Sequence, residues 1–264
     1  MTAAALEARS GDVRIVYDVR GSGPPLLLCQ GLGYTRLGWG TARELLAEHF
    51  AVVSFDNRGI GESDVPPGPY TASLLAADAL AVLDAAGVER AHVVGASLGG
   101  MVAQELALAA PDRVDRLVLA CTTPGGPGSF PMPARTVALF AKAALLEPHD
   151  ALRRFVVNAL SPEAPAELVD EIYAHRLAHP PDLGGWQAQA GAGTTFDALD
   201  RIGTISAPTL VLHGTADNVV DHRNGELLAE RIPNARLRLF PGAGHLFFWE
   251  QPERFSTAIR EFLG

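Results

Sequence analysis

The sequence has little cysteine and no cysteine-based motif. Only two cysteines, Cys29 and Cys121, occur in 264 residues, and they are not spaced as Cys-x-x-Cys. This spacing excludes a disulfide-rich framework and the usual cysteine signature of a zinc or redox site. Both cysteines lie in strand-like runs, so we expect buried free thiols, a reducing compartment and therefore a cytoplasmic protein.

Long apolar runs and an excess of basic residues are also missing. No segment reaches the roughly 20 apolar residues that a membrane helix needs. Acidic residues outnumber Lys and Arg by 30 to 21, which gives a net charge of −9. This charge disfavours nucleic acids and anionic membranes as partners, and it weakly favours neutral or cationic substrates over polyanions. No His-Glu-x-x-His motif or close His/Asp cluster occurs, so neither a metal nor a cofactor is predicted.

What the sequence does contain is an alternation of strand-like and helical segments. Hydrophobic residues make up 48% of the chain, and a chain of this length can bury a large core. The alternation predicts an α/β protein with a mostly parallel sheet flanked by helices. Strands are predicted at residues 13–19, 26–29, 52–55, 114–121 and from 209, and helices near residues 41–49, 71–86 and 252–263.

One motif carries most of the chemical information. Gly95-Ala96-Ser97-Leu98-Gly99 follows a strand-like run and precedes a helical segment. A serine hydroxyl is a poor nucleophile unless it is exposed, oriented and served by a base. A sharp strand-to-helix turn exposes the hydroxyl, and the helix N-terminus offers N–H groups to an oxyanion. We therefore predict Ser97 as a nucleophile.

The expected partners of Ser97 follow in chain order. Asp217 ends the loop after the strand-like run 210–213, and His245 ends a glycine-rich loop after the run 237–240. Because the carboxyl ends of parallel strands meet at one edge of a sheet, the three side chains are expected close together. His245 would accept the Ser97 proton, and Asp217 would orient the imidazole. Asp221, four residues further on, is the alternative acid.

These residues resemble those of an α/β-hydrolase fold enzyme, of the branch with carboxylesterases, cofactor-free haloperoxidases and enol-lactone hydrolases. The Ser–Asp–His order is the order of that family. The loop Asp56-Asn57-Arg58-Gly59-Ile60-Gly61-Glu62-Ser63 is similar to the family's D-x-R-G-x-G-x-S loop. The resemblance covers nearly the whole chain and implies that the fold is the α/β-hydrolase fold.

The resemblance also implies an oxyanion hole formed by the backbone amides of Leu32 and Leu98. The family usually has His-Gly at this point, whereas this chain has Gln30-Gly31. Because backbone groups form the hole, we interpret Gln30 as a structural substitution. Three residues are predicted to line the acyl pocket because of their positions. Trp39 is in the loop after the predicted strand 26–29, and Leu246 and Phe247 directly follow His245.

Between residues 123 and 199 the strand–helix alternation stops. Helical runs are predicted near residues 134–146, 149–160 and 164–179, with no clear strand. Such an insertion is typical of a helical cap above the active site, where substrate choice is made. We expect a core domain formed by residues 1–122 and 200–264, and a cap formed by residues 123–199.

Together these features predict a serine hydrolase that cleaves a small to medium carboxylic ester or lactone through an acyl-enzyme. C–C bond hydrolases and perhydrolases of haloperoxidase type use the same catalytic triad, which here would be formed by Ser97, Asp217 and His245. A small-molecule receptor of this fold is an alternative from another class, because fold alone does not decide function.

Overall fold

In the computed structural model, residues 5–143 and 145–264 are described. The first four positions of the expected core domain, and position 144 of the helix predicted at 134–146, lie outside them. The strands in this part of the chain are β1 (Leu6–Ser10), β2 (Val13–Arg20), β3 (Pro25–Cys29), β4 (Ala51–Phe55), β5 (Ala91–Ala96), β6 (Val114–Ala120), β7 (Thr209–Gly214) and β8 (Ala235–Phe240).

The strands form one sheet in the order β1-β2-β4-β3-β5-β6-β7-β8. β1 pairs antiparallel with β2, and β2 pairs antiparallel with β4. All remaining neighbours are parallel, from β4 and β3 across to β8. The mostly parallel sheet predicted from the sequence is therefore confirmed.

Helices cover both faces of the sheet. Their bounds are α1 (Thr41–Ala47), α2 (Ala72–Ala85), α3 (Leu98–Ala109), α4 (Ala134–Ala143), α5 (Pro148–Ala159), α6 (Ala166–Ala178), α7 (Leu183–Thr194), α8 (Arg223–Arg231), α9 (Phe247–Glu250) and α10 (Pro252–Leu263).

Alternate side chains of the central strands enter opposite cores. Leu27 and Cys29 pack in the core that includes α2, α3 and α8, whereas Leu26 and Leu28 pack in the core that includes α1, α9 and α10. This alternation follows from the two-residue period of a strand. It also explains why the central strands are continuous apolar runs, since both of their faces are buried.

The helices α4 to α7 lie between β6 and β7, where the sequence predicts the insertion. Near the two ends of this segment, Gly125 and Asp197 form an isolated antiparallel bridge. No helix in the described ranges combines the length and apolar character needed to cross a bilayer.

The sequence does not predict α7, because its glycine-rich composition has low helix propensity. Two contacts explain why it forms. The Asp182 side chain caps the helix by accepting a hydrogen bond from the backbone of Gly185 at 2.9 Å. Gly185 also lets the helix approach the backbone of Gly59 so closely that a Cβ would overlap its carbonyl oxygen. Tertiary packing thus outweighs the local preference.

Candidate active site

Ser97 stands on a sharp turn between β5 and α3. Its backbone has φ 55° and ψ −120°, a conformation that non-glycine residues rarely adopt. A Cβ at position 95 would overlap the carbonyl oxygen of Gly99, and a Cβ at position 99 would overlap that of Cys29. The two flanking glycines are therefore required for the turn, and they allow Ser97 to stand at the edge of the sheet.

Hydrogen bonds hold this turn against the neighbouring strand β6. The Ser97 amide donates to the carbonyl of Ala120 at 2.9 Å, and the Thr122 hydroxyl donates to the carbonyl of Ser97 at 2.7 Å. Backbone strain of this kind costs on the order of 1–3 kcal/mol and persists only where the surroundings fix it. The turn is thus held in place rather than free to relax.

Asp217 and His245 form a buried pair. The Nδ1 atom of His245 lies 2.7 Å from Oδ2 of Asp217, and both residues are buried. The other carboxylate oxygen, Oδ1, accepts hydrogen bonds from the amides of Val219 at 2.7 Å and Val220 at 2.9 Å. Asp217 is therefore held at both oxygens, in the orientation that directs His245.

The electrostatics keep this carboxylate ionised. Burial by itself acts to raise the pKa of Asp217, but the charge of His245 and the hydrogen bonds from His213 and His245 outweigh it. The pKa of Asp217 is consequently held well below its usual range. An ionised carboxylate on Nδ1 leaves Nε2 of His245 as the basic atom of the ring.

The alternative acid, Asp221, does not contact His245. Its carboxylate forms a two-point ion pair with Arg223, at 2.9 Å and 2.6 Å. That pairing is the main cause that lowers the pKa of Asp221. The geometry therefore favours Asp217 as the partner of the imidazole.

The loops that carry Asp217 and His245 are joined to each other. The amide of Ala216 donates to the carbonyl of Ala243 at 2.9 Å, and the Thr215 hydroxyl accepts from the amide of Gly242 at 2.8 Å. Glu250 then connects the His245 loop to the segment after α5, because its Oε1 accepts from the amides of Gly244 at 3.0 Å and Ser161 at 2.9 Å.

Ser97 directly follows β5, whereas Asp217 and His245 come after β7 and β8. Within the described ranges, no hydrogen bond joins the Ser97 hydroxyl to His245. The buried Cys121 follows Ala120, the residue whose carbonyl accepts from the Ser97 amide. Burial raises the pKa of this thiol well above its ordinary value, so the Cys121 side chain packs as an uncharged group.

The oxyanion loop after β3 is braced by Gln30. Its Oε1 accepts a hydrogen bond from the amide of Gly31 at 2.7 Å, and its carbonyl accepts from the Asn57 side chain at 3.1 Å. Among the described residues, the amides of Leu32 and Leu98 donate no hydrogen bond to another protein group. Two unengaged amides are what an oxyanion needs.

We expect Gln30→His to keep kcat within about tenfold of the wild type, which is about 1.4 kcal/mol of activation free energy. A ring nitrogen can accept from the Gly31 amide as Oε1 does. Gln30→Leu is the matched control, since it leaves that buried N–H without an acceptor and should lower kcat further. Steady-state kinetics on both folded variants makes the comparison. A collapse of kcat in Gln30→His with unchanged KM would mean that the glutamine amide itself acts in the transition state.

Two of the three expected pocket residues are placed elsewhere. Trp39 and Phe247 are both 0% exposed, so neither offers surface to a substrate. Both rings pack against Phe255, with centroids 6.4 Å and 5.6 Å from it. Trp39 and Phe247 are therefore close to the candidate site along the chain, but their side chains point into the buried aromatic cluster around Phe255. Leu246 is 4% exposed, and its amide donates to the carbonyl of Ala159 on α5 at 2.9 Å.

The structure adds two residues that the sequence does not single out for the site. Gln189, on the unpredicted helix α7, accepts from the amide of Gly33 at 3.2 Å and donates to the carbonyl of Arg58 at 2.8 Å. It thereby ties α7 to the loop after β3 and to the loop after β4. His213, at the end of β7, lies 3.1 Å from Oδ2 of Asp217. In the sequence, the only indication of Gln189 is Asp182, which can cap the helix that carries it. The only indication of the contact of His213 is its spacing of four residues from Asp217.

Comparison with known proteins gives one consistent family. A family model described as alpha/beta hydrolase fold matches residues 24–252. A solved hydrolase from Pseudomonas aeruginosa PA01 is 36% identical, with a TM-score of 0.84, over 100% of this chain and 98% of the other. The enol-lactonase of Burkholderia xenovorans LB400 is 27% identical, with a TM-score of 0.85, over 98% of this chain and 99% of that one.

A further relative has a different named reaction. The 2-hydroxy-6-oxononadienedioate/2-hydroxy-6-oxononatrienedioate hydrolase of Paraburkholderia xenovorans is 32% identical, over 96% of this chain and 91% of its own. Named activities therefore vary among proteins that share this architecture. The three matches named here are each called a hydrolase or a lactonase, and each covers nearly the full length of this chain. The chain belongs to the α/β-hydrolase fold family and is an enzyme of that family.

Proposed function

We propose that this enzyme is a serine hydrolase that cleaves small to medium carboxylic esters or lactones through an acyl-enzyme. The observation that carries the proposal is the hydrogen bond of 2.7 Å between His245 and Asp217, at the sheet edge where Ser97 stands on its positive-φ turn. The three residues have the types and chain order of a nucleophile, an acid and a base.

In the proposed reaction, Ser97 Oγ attacks the substrate carbonyl while Nε2 of His245 takes the hydroxyl proton. Asp217 stabilises the imidazolium that forms. His245 then returns the proton to the leaving alcohol, and an acyl-enzyme remains on Ser97. A water molecule, deprotonated by His245, attacks this acyl group and releases the acid. The missing Ser97–His245 hydrogen bond does not oppose this sequence, because such bonds often tighten only when substrate is bound.

The amides of Leu32 and Leu98 are proposed to bind the oxyanion of each tetrahedral intermediate. Leu98 is the first residue of α3, so its N–H also carries the partial positive charge of a helix N-terminus. Donors of this kind are preorganised, because backbone groups need no side-chain ordering when charge develops.

The net charge of the chain bears on the polarity of the substrate, and the proposed cap bears on its size. A net charge of −9 favours neutral or cationic substrates. We propose that residues 123–199 act as a cap that sets acyl-chain preference, with Leu246 at the acyl site. Each methylene-sized change at such a contact should alter discrimination by roughly 1–3 kcal/mol.

C–C bond hydrolysis is the second candidate, because a relative that is 32% identical is named for a dienedioate substrate. A panel of chromogenic esters of rising acyl length, an enol-lactone and a vinylogous dienone acid distinguishes the two candidates. We expect multiple turnovers of the short and medium esters or the lactone, and a peak in kcat/KM along the acyl series.

Exclusive turnover of the dienone acid would instead support C–C hydrolysis. Binding of these compounds without turnover of any of them would favour a receptor of this fold. Ser97→Ala serves as the control for background hydrolysis in every assay.

A further inference from the structure

A second histidine contacts the carboxylate that orients the proposed base. His213 is the penultimate residue of β7, and its ring is fully buried at 0% exposure. Its Nε2 lies 3.1 Å from Oδ2 of Asp217, the same oxygen that meets Nδ1 of His245. The two imidazoles therefore meet at one carboxylate oxygen.

The surroundings of the His213 ring fix its tautomer. Nε2 also lies 3.2 Å from the carbonyl oxygen of Val220, so this nitrogen faces two acceptors and must carry the proton. The other nitrogen, Nδ1, has no hydrogen-bond partner and is enclosed by protein. It lies against Gly225 of α8, where a Cβ would come within 2.8 Å of it. The ring is thus held with its N–H directed at Asp217.

An unpaired buried acceptor such as Nδ1 is unfavourable, and an apolar side chain of similar size would avoid it. What the histidine supplies, and an apolar residue would not, is the donor at Nε2. We propose that His213 is a positioning residue, whose N–H fixes Oδ2 of Asp217 in the orientation that holds the imidazole of His245 toward Ser97. This inference rests on the proposed function of the triad.

The other titratable groups near this pair are few. The Cys121 thiol and the Glu250 carboxyl both sense the charge of Asp217. Burial raises the pKa of each of these two groups. His213 and His245 are the two described side chains that hydrogen-bond to Oδ2.

Two substitutions separate hydrogen bonding from packing. His213→Gln places an amide N–H near the position of Nε2, whereas His213→Met fills the space without a donor. His222→Gln is the matched control, because His222 is on the following loop and partly exposed, 4.0 Å from Asp221 and 3.9 Å from Glu226. Each variant is assayed for kcat, for the pH profile of kcat/KM on a chromogenic ester that the wild type turns over, and for its unfolding midpoint.

We expect His213→Met to lower kcat by roughly 10-fold to 100-fold, as misplacement of a catalytic group by about 1 Å does. Without the N–H of His213, Oδ2 presents more negative charge to the protonated form of His245. The acidic limb of the profile should therefore move to higher pH. His213→Gln should remain within about threefold of the wild type, with an unmoved acidic limb, and so should His222→Gln.

The same substitution in an Asp217→Asn background shows whether His213 acts through the carboxylate. If it does, His213→Met should cause little further loss there, because the two effects are coupled. A folded His213→Met variant with wild-type kcat and profile would overturn the proposal, as would equal losses in the Gln and Met variants. If the His213→Met variant does not fold, the kcat of His213→Gln is the deciding measurement. A loss of kcat in His213→Gln as large as that in Asp217→Asn would refute the proposal. A harmless Asp217→Asn would instead refute the proposed acid.

Discussion

Ser97→Ala is expected to lower kcat on a simple ester by a factor of about 10⁴ or more, while the protein stays folded. The substitution removes the only atom that can form the proposed acyl bond. The amides of Leu32 and Leu98 and the binding surface remain, so a small residual rate above the uncatalysed reaction should persist. Steady-state kinetics with a chromogenic ester measures the effect.

Ser73→Ala is the matched control for this experiment, because Ser73 is exposed on α2. It should keep wild-type turnover. Ester turnover by Ser97→Ala at the wild-type rate would remove Ser97 from the mechanism, whatever its backbone conformation.

Asp217→Asn is expected to lower kcat by about 10⁴ as well, because an amide at this position favours the wrong tautomer of the base. In the structure, Oδ2 faces two imidazoles and Oδ1 faces two backbone amides, so every contact of the side chain needs an acceptor. An amide N–H in place of either oxygen would meet another donor. The loss should appear in kcat with little change in KM, and it should persist at alkaline pH.

Asp221→Asn is the natural comparison, since Asp221 is the alternative acid and pairs with Arg223 on the surface. We expect it to be close to neutral. If Asp221→Asn were inactive and Asp217→Asn active, the acid would lie four residues further along the chain.

The features of the candidate site that can be derived from the sequence are those determined by local backbone rules. Ser97 is flanked by glycines that a strand-to-helix turn needs, and this requirement can be seen within five residues. Asp217 and His245 follow strand-like runs, and a parallel sheet brings such strand ends to one edge. The contact between them then follows from the topology, even though 28 positions separate them along the chain.

What the sequence predicts poorly is the direction of a side chain. Trp39 and Phe247 stand beside functional loops, but their rings enter the aromatic core. The period of the surrounding residues does not determine this outcome in short loops and in the four-residue helix α9. The position of His213 at a strand end predicts that it packs under the Asp217 loop, but its hydrogen bond to Oδ2 depends on the path of that loop.

Among the described elements, β1, α7, α8 and α9 have no counterpart in the sequence prediction, and two of them show why. Helix α7 is poor in helix-forming residues and is stabilised by its Asp182 cap and by close packing of Gly185 on Gly59. Strand β1 is short and only partly buried, with Ala8 as its buried residue, so it has little apolar signal. It is an edge strand whose register is set by β2. In both cases the tertiary neighbour supplies what the local sequence lacks.

The central claim is that Ser97 forms a covalent intermediate, and labelling with a fluorophosphonate tests it most directly. The reagent forms a stable phosphonyl ester with an activated serine and releases fluoride, which mimics the first half of the reaction. Intact-protein mass spectrometry should show one adduct per chain, peptide mapping should place it on Ser97, and Asp217→Asn should slow its formation. No adduct in the wild type, or an adduct on another residue that also forms in Ser97→Ala, would contradict the account.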